Sequence, residues 1–241
     1  MENSLRNHVN FYQLVKVNGL RIKGIEYGSI VFHNLKWVNG DFLLNGGSEN
    51  TIGEFPELIE IQGYARVEKM GRIQMDKIST VQGIFILEDN YFSSISLPKL
   101  EKVYGSFKIV GKNLLETIDL KSLKNVGGVL LIENGEMSEI GSLDLSSLET
   151  VALDSHIEGH YKSLDLPKLV NIGGWFSFLH WGKHDCKTLE DLFINKAEKV
   201  VCFENESQMD KDRLSSEAIL QKRKFYRDRK NTHQKEKIVY L

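Results

Sequence analysis

Polar side chains recur in the sequence at intervals of 20 to 25 residues, each four positions before a Leu or Ile. Most of them are acidic, and a row of carboxylates can receive a basic protein surface or a cation. A pair of carboxylates can also act as the acid and base of a glycosidase. The competing interpretation is that a solvent-facing position between two buried ones must be polar. The set comprises Glu54, Gln74, Ser96, Asp119, Asp144 and Asp165.

A second candidate is the aromatic stretch "WFSFLHW", which runs from Trp175 to Trp181. Phe176 and Phe178 fit an inward-facing register, whereas Trp175 and Trp181 do not. Because Trp is enriched at binding hot spots, this pair can anchor a protein partner. Alternatively, the two indoles cover the open end of the core.

Soft metal ligands also occur near this stretch, at His180, His184, Cys186 and Cys202, with His156 and His160 earlier in the chain. Their spacing matches no standard zinc motif. The sequence therefore predicts ordinary surface histidines and reduced cysteines, with a zinc site as the alternative. We expect no metal and no cofactor.

The C-terminal region differs from the rest in charge and composition. Residues 211–241 contain ten Lys or Arg against four Asp or Glu, whereas the whole chain has a net charge of −2. The stretch "SQMDKDRLSSEAILQKRKFYRDRK" lacks Gly and Pro, begins with a capping-box pattern and predicts a helix. It either caps the body or binds nucleic acid through its cations and aromatic rings. The residues concerned are Lys222, Arg223, Lys224, Phe225, Tyr226, Arg227, Arg229 and Lys230.

The elements that must position these groups follow from a repeat of the form φ-x-x-φ-x-G, where φ is apolar. A period in the twenties is typical of solenoids, whose coils bury their apolar faces only against their neighbours. Seven of the eight copies carry the Gly, and Leu153 replaces it in the remaining one. The repeat begins at Leu14, Leu35, Leu58, Ile78, Leu100, Leu123, Leu148 and Leu169.

The remainder of each unit predicts strands rather than helices. After the Gly, apolar residues alternate with period two, as at Phe85 and Leu87, and a second alternating pair precedes the repeated Leu. The prolines Pro56, Pro98 and Pro167 all lie two residues before that Leu, where a corner tolerates a residue without an N–H donor. Each Gly requires a positive φ or a close approach between coils.

The fold class predicted from these patterns is mainly β: a parallel β-helix-like solenoid of about eight coils with a C-terminal α-helical segment. We expect an N-terminal cap at residues 1–13, the repeat domain at 14–189 and a capping segment with a basic helix and tail at 190–241.

The segment "SISLPKLEKVYGSFKIVGKNLLETIDLKSLKNVGGVLLI" resembles the receptor L domain, a leucine-rich-repeat relative found in insulin and epidermal growth factor receptor ectodomains and in fungal cell-wall proteins. The resemblance covers residues 14 to 178. It implies a binding domain without catalytic residues. The sequence lacks an export signal and a disulfide set, so a receptor role at the cell surface is not implied.

Composition limits the remaining function classes. There is no apolar run of membrane-spanning length, and two cysteines are too few for a disulfide framework, although one bridge between Cys186 and Cys202 stays open. We expect a soluble, cytoplasmic chain. Nucleophile-elbow, zinc-protease and nucleotide-binding motifs are absent.

The predicted function is therefore a non-enzymatic, protein-binding solenoid that acts as an adaptor, inhibitor or recognition subunit. The candidate binding residues are Glu54, Ser96, Asp119, Asp144, Asp165, Trp175 and Trp181. The alternatives are a nucleic-acid-associated factor that uses its basic tail and a carbohydrate-active β-helix enzyme, which would use the aspartate column.

Overall fold

The computed structural model describes residues 7–24, 28–111, 115–133, 139–140, 142–161, 166–180 and 195–203. Within these ranges the chain forms a parallel β-solenoid of about seven turns. Its strands, numbered in chain order, stack into three parallel ladders, called ladders 1, 2 and 3. A parallel β-solenoid is thus confirmed, with about seven turns where the sequence predicts about eight coils.

Ladder 1 contains the first half of the repeat, where the second apolar residue of each φ-x-x-φ unit points inward. Its eight strands lie on successive coils and pair in parallel, which corresponds to the eight predicted copies. The strands are β2 (Lys16–Val17), β5 (Trp37–Val38), β7 (Glu60–Ile61), β9 (Thr80–Val81), β12 (Lys102–Val103), β15 (Asn125–Val126), β19 (Thr150–Val151) and β21 (Asn171–His180).

Ladder 2 follows the glycine and contains the alternating segment. β21 continues from ladder 1 into this ladder, and a further strand, Ala197–Phe203, pairs with it beyond residue 189. The strands are β3 (Leu20–Lys23), β6 (Phe42–Glu54), β8 (Ala65–Gln74), β10 (Phe85–Glu88), β13 (Phe107–Val110), β16 (Leu130–Glu133), β20 (Ser155–Tyr161), β21 and β22 (Ala197–Phe203).

Ladder 3 precedes the repeated Leu and consists of two stacks. The N-terminal stack is formed by β1, β4 and the ends of β6 and β8, and the other by β11, β14 and β18. In β6 and β8 the strands of ladders 2 and 3 are continuous through irregular register, instead of the separate short strands that the sequence predicts. The bounds of the strands not yet given are β1 (Asn7–Phe11), β4 (Gly28–Phe32), β11 (Ser94–Ser96), β14 (Thr117–Asp119) and β18 (Ser142–Asp144). One further short strand, β17 (Glu139–Ile140), pairs with the end of β20.

The core is a stack of large apolar side chains from all three ladders. Phe85 and Phe107 are fully buried on adjacent coils, with ring centroids 5.4 Å apart. Each such side chain contributes about 1.5 to 3 kcal/mol by its removal from water. The repeated Leu or Ile is buried in every copy except the first, because Leu14 lies on the outermost coil and is 39% exposed.

The turns at the corners explain where proline and glycine recur in the repeat. Pro56, Pro98 and Pro167 all lie in turns, as predicted. Except at Gly19, the repeated glycines are required for close approach rather than for a positive φ. A Cβ on Gly105 would lie 2.7 Å from the carbonyl oxygen of Gly83, which accepts the Gly105 N–H at 3.1 Å. At the exceptional corner, Leu153 directs its side chain outward and its N–H still donates to Gly128.

The predicted C-terminal helix lies outside the described residues, and the described residues contain no helix. Accordingly, no helix long and apolar enough to cross a membrane occurs among them.

Candidate binding face

The predicted acidic column is present in ladder 3, but in two parts. Ser96, Asp119 and Asp144 are Cα partners on three successive rungs. Glu54 is instead a partner of Gln74 in the N-terminal stack. Asp165 lies outside the described residues. The structure therefore brings together part of the predicted column, and its role in binding a partner stays a prediction.

The carboxylates of this column also stabilise the fold. Asp119 Oδ1 accepts the Lys121 N–H at 3.2 Å, and Asp144 Oδ1 accepts the Ser146 N–H at 2.9 Å. Both are Asx-type turns, which place Asp where the chain leaves a strand. Ser96 Oγ donates to Asp119 Oδ2 at 3.0 Å. The recurrence of aspartate at this position thus has a local explanation at the corner.

The aromatic stretch is described only in part. Phe176 and Phe178 are buried in the core, as predicted. Trp175 lies on the outward side of β21, partly exposed, and its N–H donates to Asp154 Oδ1 at 2.8 Å. Trp175 is also the register partner of Lys199, so another rung follows it. Trp181 lies outside the described residues.

Most of the other predicted site residues also lie outside the described residues. His184, Cys186 and the basic residues from Lys222 to Lys230 lie outside the described residues. Cys202 is placed in β22 as the register partner of Phe178. The sequence-based expectations for zinc and nucleic acid at these positions stay predictions.

The outward side of ladder 2, called here the ladder 2 face, combines apolar and charged side chains. It consists of three rows that lie six, eight and ten residues after the repeated Leu. The six-residue row includes Tyr64, Ile84, Val129 and Trp175. The eight-residue row contains Leu43, Arg66, Ile86, Lys108, Leu131, His156 and Ser177. The ten-residue row includes Glu68, Glu88, Glu133 and Glu158.

Most of these apolar side chains are partly exposed, with their neighbours on adjacent rungs covering the remainder. On the outward side of ladder 1, polar side chains bond one another across the coils. On ladder 1, Gln82 donates to Glu60 at 3.1 Å and Asn125 donates to Thr150 at 2.9 Å. Such cross-rung hydrogen bonds use the polar groups within the sheet itself. The ladder 2 face thus presents partly exposed apolar and aromatic side chains beside charged ones.

Towards the N-terminus, an arginine bridges two glutamates of this face. Arg66 Nη2 lies 3.1 Å from Glu68 Oε2 and 2.8 Å from Glu88 Oε2. Tyr64 lies beside these groups. Burial raises the pKa of its phenol above 10.0, the Arg66 charge lowers this pKa, and the Glu88 charge raises it.

Towards the C-terminus, a histidine lies close to two glutamates. Glu133, His156 and Glu158 each offer a ligand atom, and these atoms lie within 4.8 Å of one another. His156 Nε2 lies 3.3 Å from Glu158 Oε2, and its Nδ1 lies 2.7 Å from Ser177 Oγ. The Arg66 group with its two glutamates and the His156 group with its two glutamates are called the Arg66 cluster and the His156 cluster.

Sequence reasoning missed both clusters because it looked for a column of carboxylates only four residues before the repeated Leu, and it considered His156 without its glutamate neighbours. The relevant signal lies ten residues after it, where Glu68, Glu88, Glu133 and Glu158 share one offset. This position alternates with two inward ones, so its side chains face outward on ladder 2. Extending the column analysis through the whole repeat would have found them.

Two curated proteins of Saccharomyces cerevisiae are similar to this chain. Sporulation-specific protein 22 is 21% identical over 174 residues, which cover 72% of this chain and 37% of the relative. Sporulation-specific protein 2 is 22% identical over 165 residues, which cover 68% of this chain and 32% of the relative. The chain thus spans about a third of the length of these relatives. No family model matches the chain, and no solved structure matches it.

Proposed function

We propose that this chain is a non-enzymatic binding protein whose ladder 2 face contacts another protein, as an adaptor, inhibitor or recognition subunit. The observation that carries the proposal is the set of partly exposed aliphatic and aromatic side chains on this face, which alternate with rungs of charged and polar groups. They are Leu43, Tyr64, Ile84, Ile86, Leu131 and Trp175. Protein interfaces are enriched in aromatic residues and Arg, with polar groups at the rim. A stacked solenoid supplies such a surface in a fixed, extended form.

The proposal includes the receptor L domain type of solenoid, a leucine-rich-repeat relative. Its support is the φ-x-x-φ-x-G repeat, whose apolar positions form the core of the parallel ladders. The cytoplasmic location inferred from the small number of cysteines belongs to the same proposal. The two yeast relatives are named for sporulation rather than for a ligand, so the choice of a protein partner depends on the face itself.

The test is affinity capture from host lysate with a matched pair of variants. Ile86→Gln with Leu131→Gln makes the ladder 2 face more polar at two outward positions. Thr80→Gln with Asn171→Gln introduces the same residue type on the ladder 1 side. We expect a stoichiometric protein to be retained by the wild type and by the ladder 1 control, and to be lost from the ladder 2 variant. Circular dichroism should show that both variants stay folded.

A second pair of samples separates the nucleic-acid alternative. The full chain and a version that ends at Asp210 are each treated with nuclease before capture. Retention by both versions of the chain supports the protein-binding face. If all captured material disappears with nuclease or with the tail, the proposal is wrong and the basic segment is the working element. Retention by the ladder 2 variant also contradicts it.

A further inference from the structure

The His156 cluster has the composition and the backbone support of a metal site. Glu133 and Glu158 are Cα partners in β16 and β20, and His156 precedes Glu158 by two residues, so all three side chains leave the same side of the sheet. Ligand atoms bound at about 2.0 to 2.2 Å from one ion lie within about 4.4 Å of one another. The present spacing of up to 4.8 Å requires only small side-chain rotations.

The orientation of the imidazole supports the same conclusion. Ser177, the register partner of His156 on β21, holds Nδ1 at 2.7 Å. When Nδ1–H donates to this oxygen, Nε2 carries the lone pair. A metal-bound histidine commonly donates its other N–H to a neighbouring acceptor, which fixes the tautomer and the ring.

The distance between Nε2 and the Glu158 carboxylate is also that of two ligands on one ion. The two atoms lie 3.3 Å apart and form a hydrogen bond when Nε2 carries the proton. A tetrahedral ion with bonds of about 2.0 to 2.1 Å separates its ligand atoms by about 3.3 Å. With the proton on Nδ1 instead, a cation between the imidazole and the carboxylate would replace this hydrogen bond with two coordination bonds.

We propose that Glu133, His156 and Glu158 bind one divalent transition-metal ion of the zinc type, with water at the remaining coordination position. One imidazole and two carboxylates suit such an ion, whereas Mg²⁺ and Ca²⁺ prefer oxygen ligands alone. The ion joins β16 to β20 on the ladder 2 face. This inference is independent of the proposed partner, because it is tested by metal binding.

Titration of the EDTA-treated full chain with Zn²⁺, followed by calorimetry, tests this site. We expect one ion to bind to the wild type and binding at this site to be lost in Glu133→Gln and in His156→Gln. His33→Gln is the matched control, because His33 is a histidine of the same solenoid whose ring contacts Asn10 and Tyr12 instead. Mg²⁺ and Ca²⁺ at the same concentrations should bind far more weakly than Zn²⁺.

Ser177→Ala keeps all three ligands and provides a second test should a ligand variant fail to fold. Loss of the supporting hydrogen bond should weaken Zn²⁺ binding about 10- to 100-fold, as outer-shell changes do. The spectrum of the Co²⁺-loaded protein should lack the charge-transfer absorption of a thiolate ligand. This absence would separate the site from one built on Cys186 and Cys202.

The proposal is overturned if the wild type binds no Zn²⁺, or if Glu133→Gln and His156→Gln bind it as tightly as the His33→Gln control. A thiolate spectrum that persists in the His156→Gln protein would also overturn it, because the bound metal would then lie elsewhere. Equal affinity of the wild type and Ser177→Ala would contradict the role of Ser177 in orienting the imidazole.

Discussion

The Arg66 and His156 clusters share one plan: a pair of glutamates on adjacent rungs, with a nitrogen-bearing side chain two residues before one of them. In the Arg66 cluster the nitrogen side chain lies on the rung of Glu68 and reaches forward to Glu88. In the His156 cluster it lies on the rung of Glu158, and Glu133 is one rung behind. The repeat therefore provides a geometry that different residues use differently.

The difference lies in what each side chain can do for the carboxylates. The Arg66 guanidinium carries a permanent positive charge and bonds both glutamates directly. The neutral His156 imidazole instead offers a lone pair, which is suited to sharing an ion with the same two acids. Arg66 therefore supplies the positive charge itself, whereas His156 supplies a ligand for a separate cation. The expected effects of mutation differ accordingly.

Widening the spacing between coils, on which both clusters depend as a plan, should have the largest effect on stability. In Gly105→Ala the new Cβ would lie 2.7 Å from the Gly83 carbonyl oxygen, so the coils must separate. We expect a loss of about 1 to 3 kcal/mol in the free energy of unfolding, as for other overpacked sites, measured by urea denaturation.

The matched control for this change is Gly19→Ala. Gly19 belongs to the same glycine column, but the nearest atom to its added Cβ is 3.6 Å away. Gly19→Ala should change the free energy of unfolding by no more than about 0.5 kcal/mol. Equal losses in the two variants would show that the glycine column does not act through the distance between coils.

Removing the Arg66 guanidinium should have the second-largest effect on stability. Arg66→Met leaves Glu68 and Glu88 on adjacent rungs without their shared partner. The Arg66 side chain is 37% exposed. Because solvent screens its charge, we expect the free energy of unfolding to fall by only about 1 to 2 kcal/mol. Thermal or urea unfolding at low and high salt measures it, and the difference from the wild type should shrink as salt increases.

Lys124→Ala provides the control for an isolated surface pair. Lys124 Nζ lies 3.3 Å from Glu101 Oε2, and both side chains are more exposed than those of the Arg66 cluster. Lys124→Ala should lower the free energy of unfolding by about 0.5 kcal/mol or less. If Arg66→Met costs no more than this control, the two-carboxylate arrangement adds nothing to an ordinary surface pair.

Replacing His156 with arginine should have a smaller effect on stability, and this effect should be stabilising. In metal-free buffer, His156→Arg should increase the free energy of unfolding by about 0.5 to 1 kcal/mol, because a guanidinium can bond Glu133 and Glu158 as Arg66 bonds its pair. The same variant should no longer bind Zn²⁺. Unchanged zinc affinity would show that the imidazole is not a ligand.

Much of the fold was predictable because each coil repeats the same physical requirement. Leu100, Val103 and Gly105 each have a counterpart in the adjacent coils, so the register, the corners and the inward rows follow from one alignment. The continuity of β6 and β8 was not predictable from this pattern. It depends on irregular register at Asn45 and Ser48, where the repeat does not specify the backbone.

The candidate site was less predictable for the same reason. Alternation indicates which positions face outward but does not indicate which outward row is functional. Asp119 and Asp144 attracted attention as carboxylates, whereas the structure shows their oxygens accepting backbone N–H groups at corners. The Glu133 and His156 pairing depends on the register between two coils, 23 residues apart in sequence. A single coil carries no sign of it.

Tyr64 reports on the Arg66 cluster without affecting stability near neutral pH. Burial raises the pKa of its phenol above 10.0, so the folded protein holds this proton more tightly than the unfolded chain does. The contribution to stability is constant below about pH 10 and falls as pH rises from there through the folded-state pKa. Alkaline absorbance titration, with Tyr64→Phe subtracted, should show this tyrosine ionising later than a free one.

In Arg66→Met the same titration should shift to still higher pH. The guanidinium lowers the pKa of Tyr64 through its charge and through a side-chain hydrogen bond, whereas Glu88 and Glu68 raise it. Without Arg66 only burial and the two carboxylates act on the phenol, and all three favour its protonated form. A shift to lower pH would mean that the glutamates turn away once their cation is lost. The Arg66 cluster would then owe its geometry to the guanidinium rather than to the rung spacing that both clusters share.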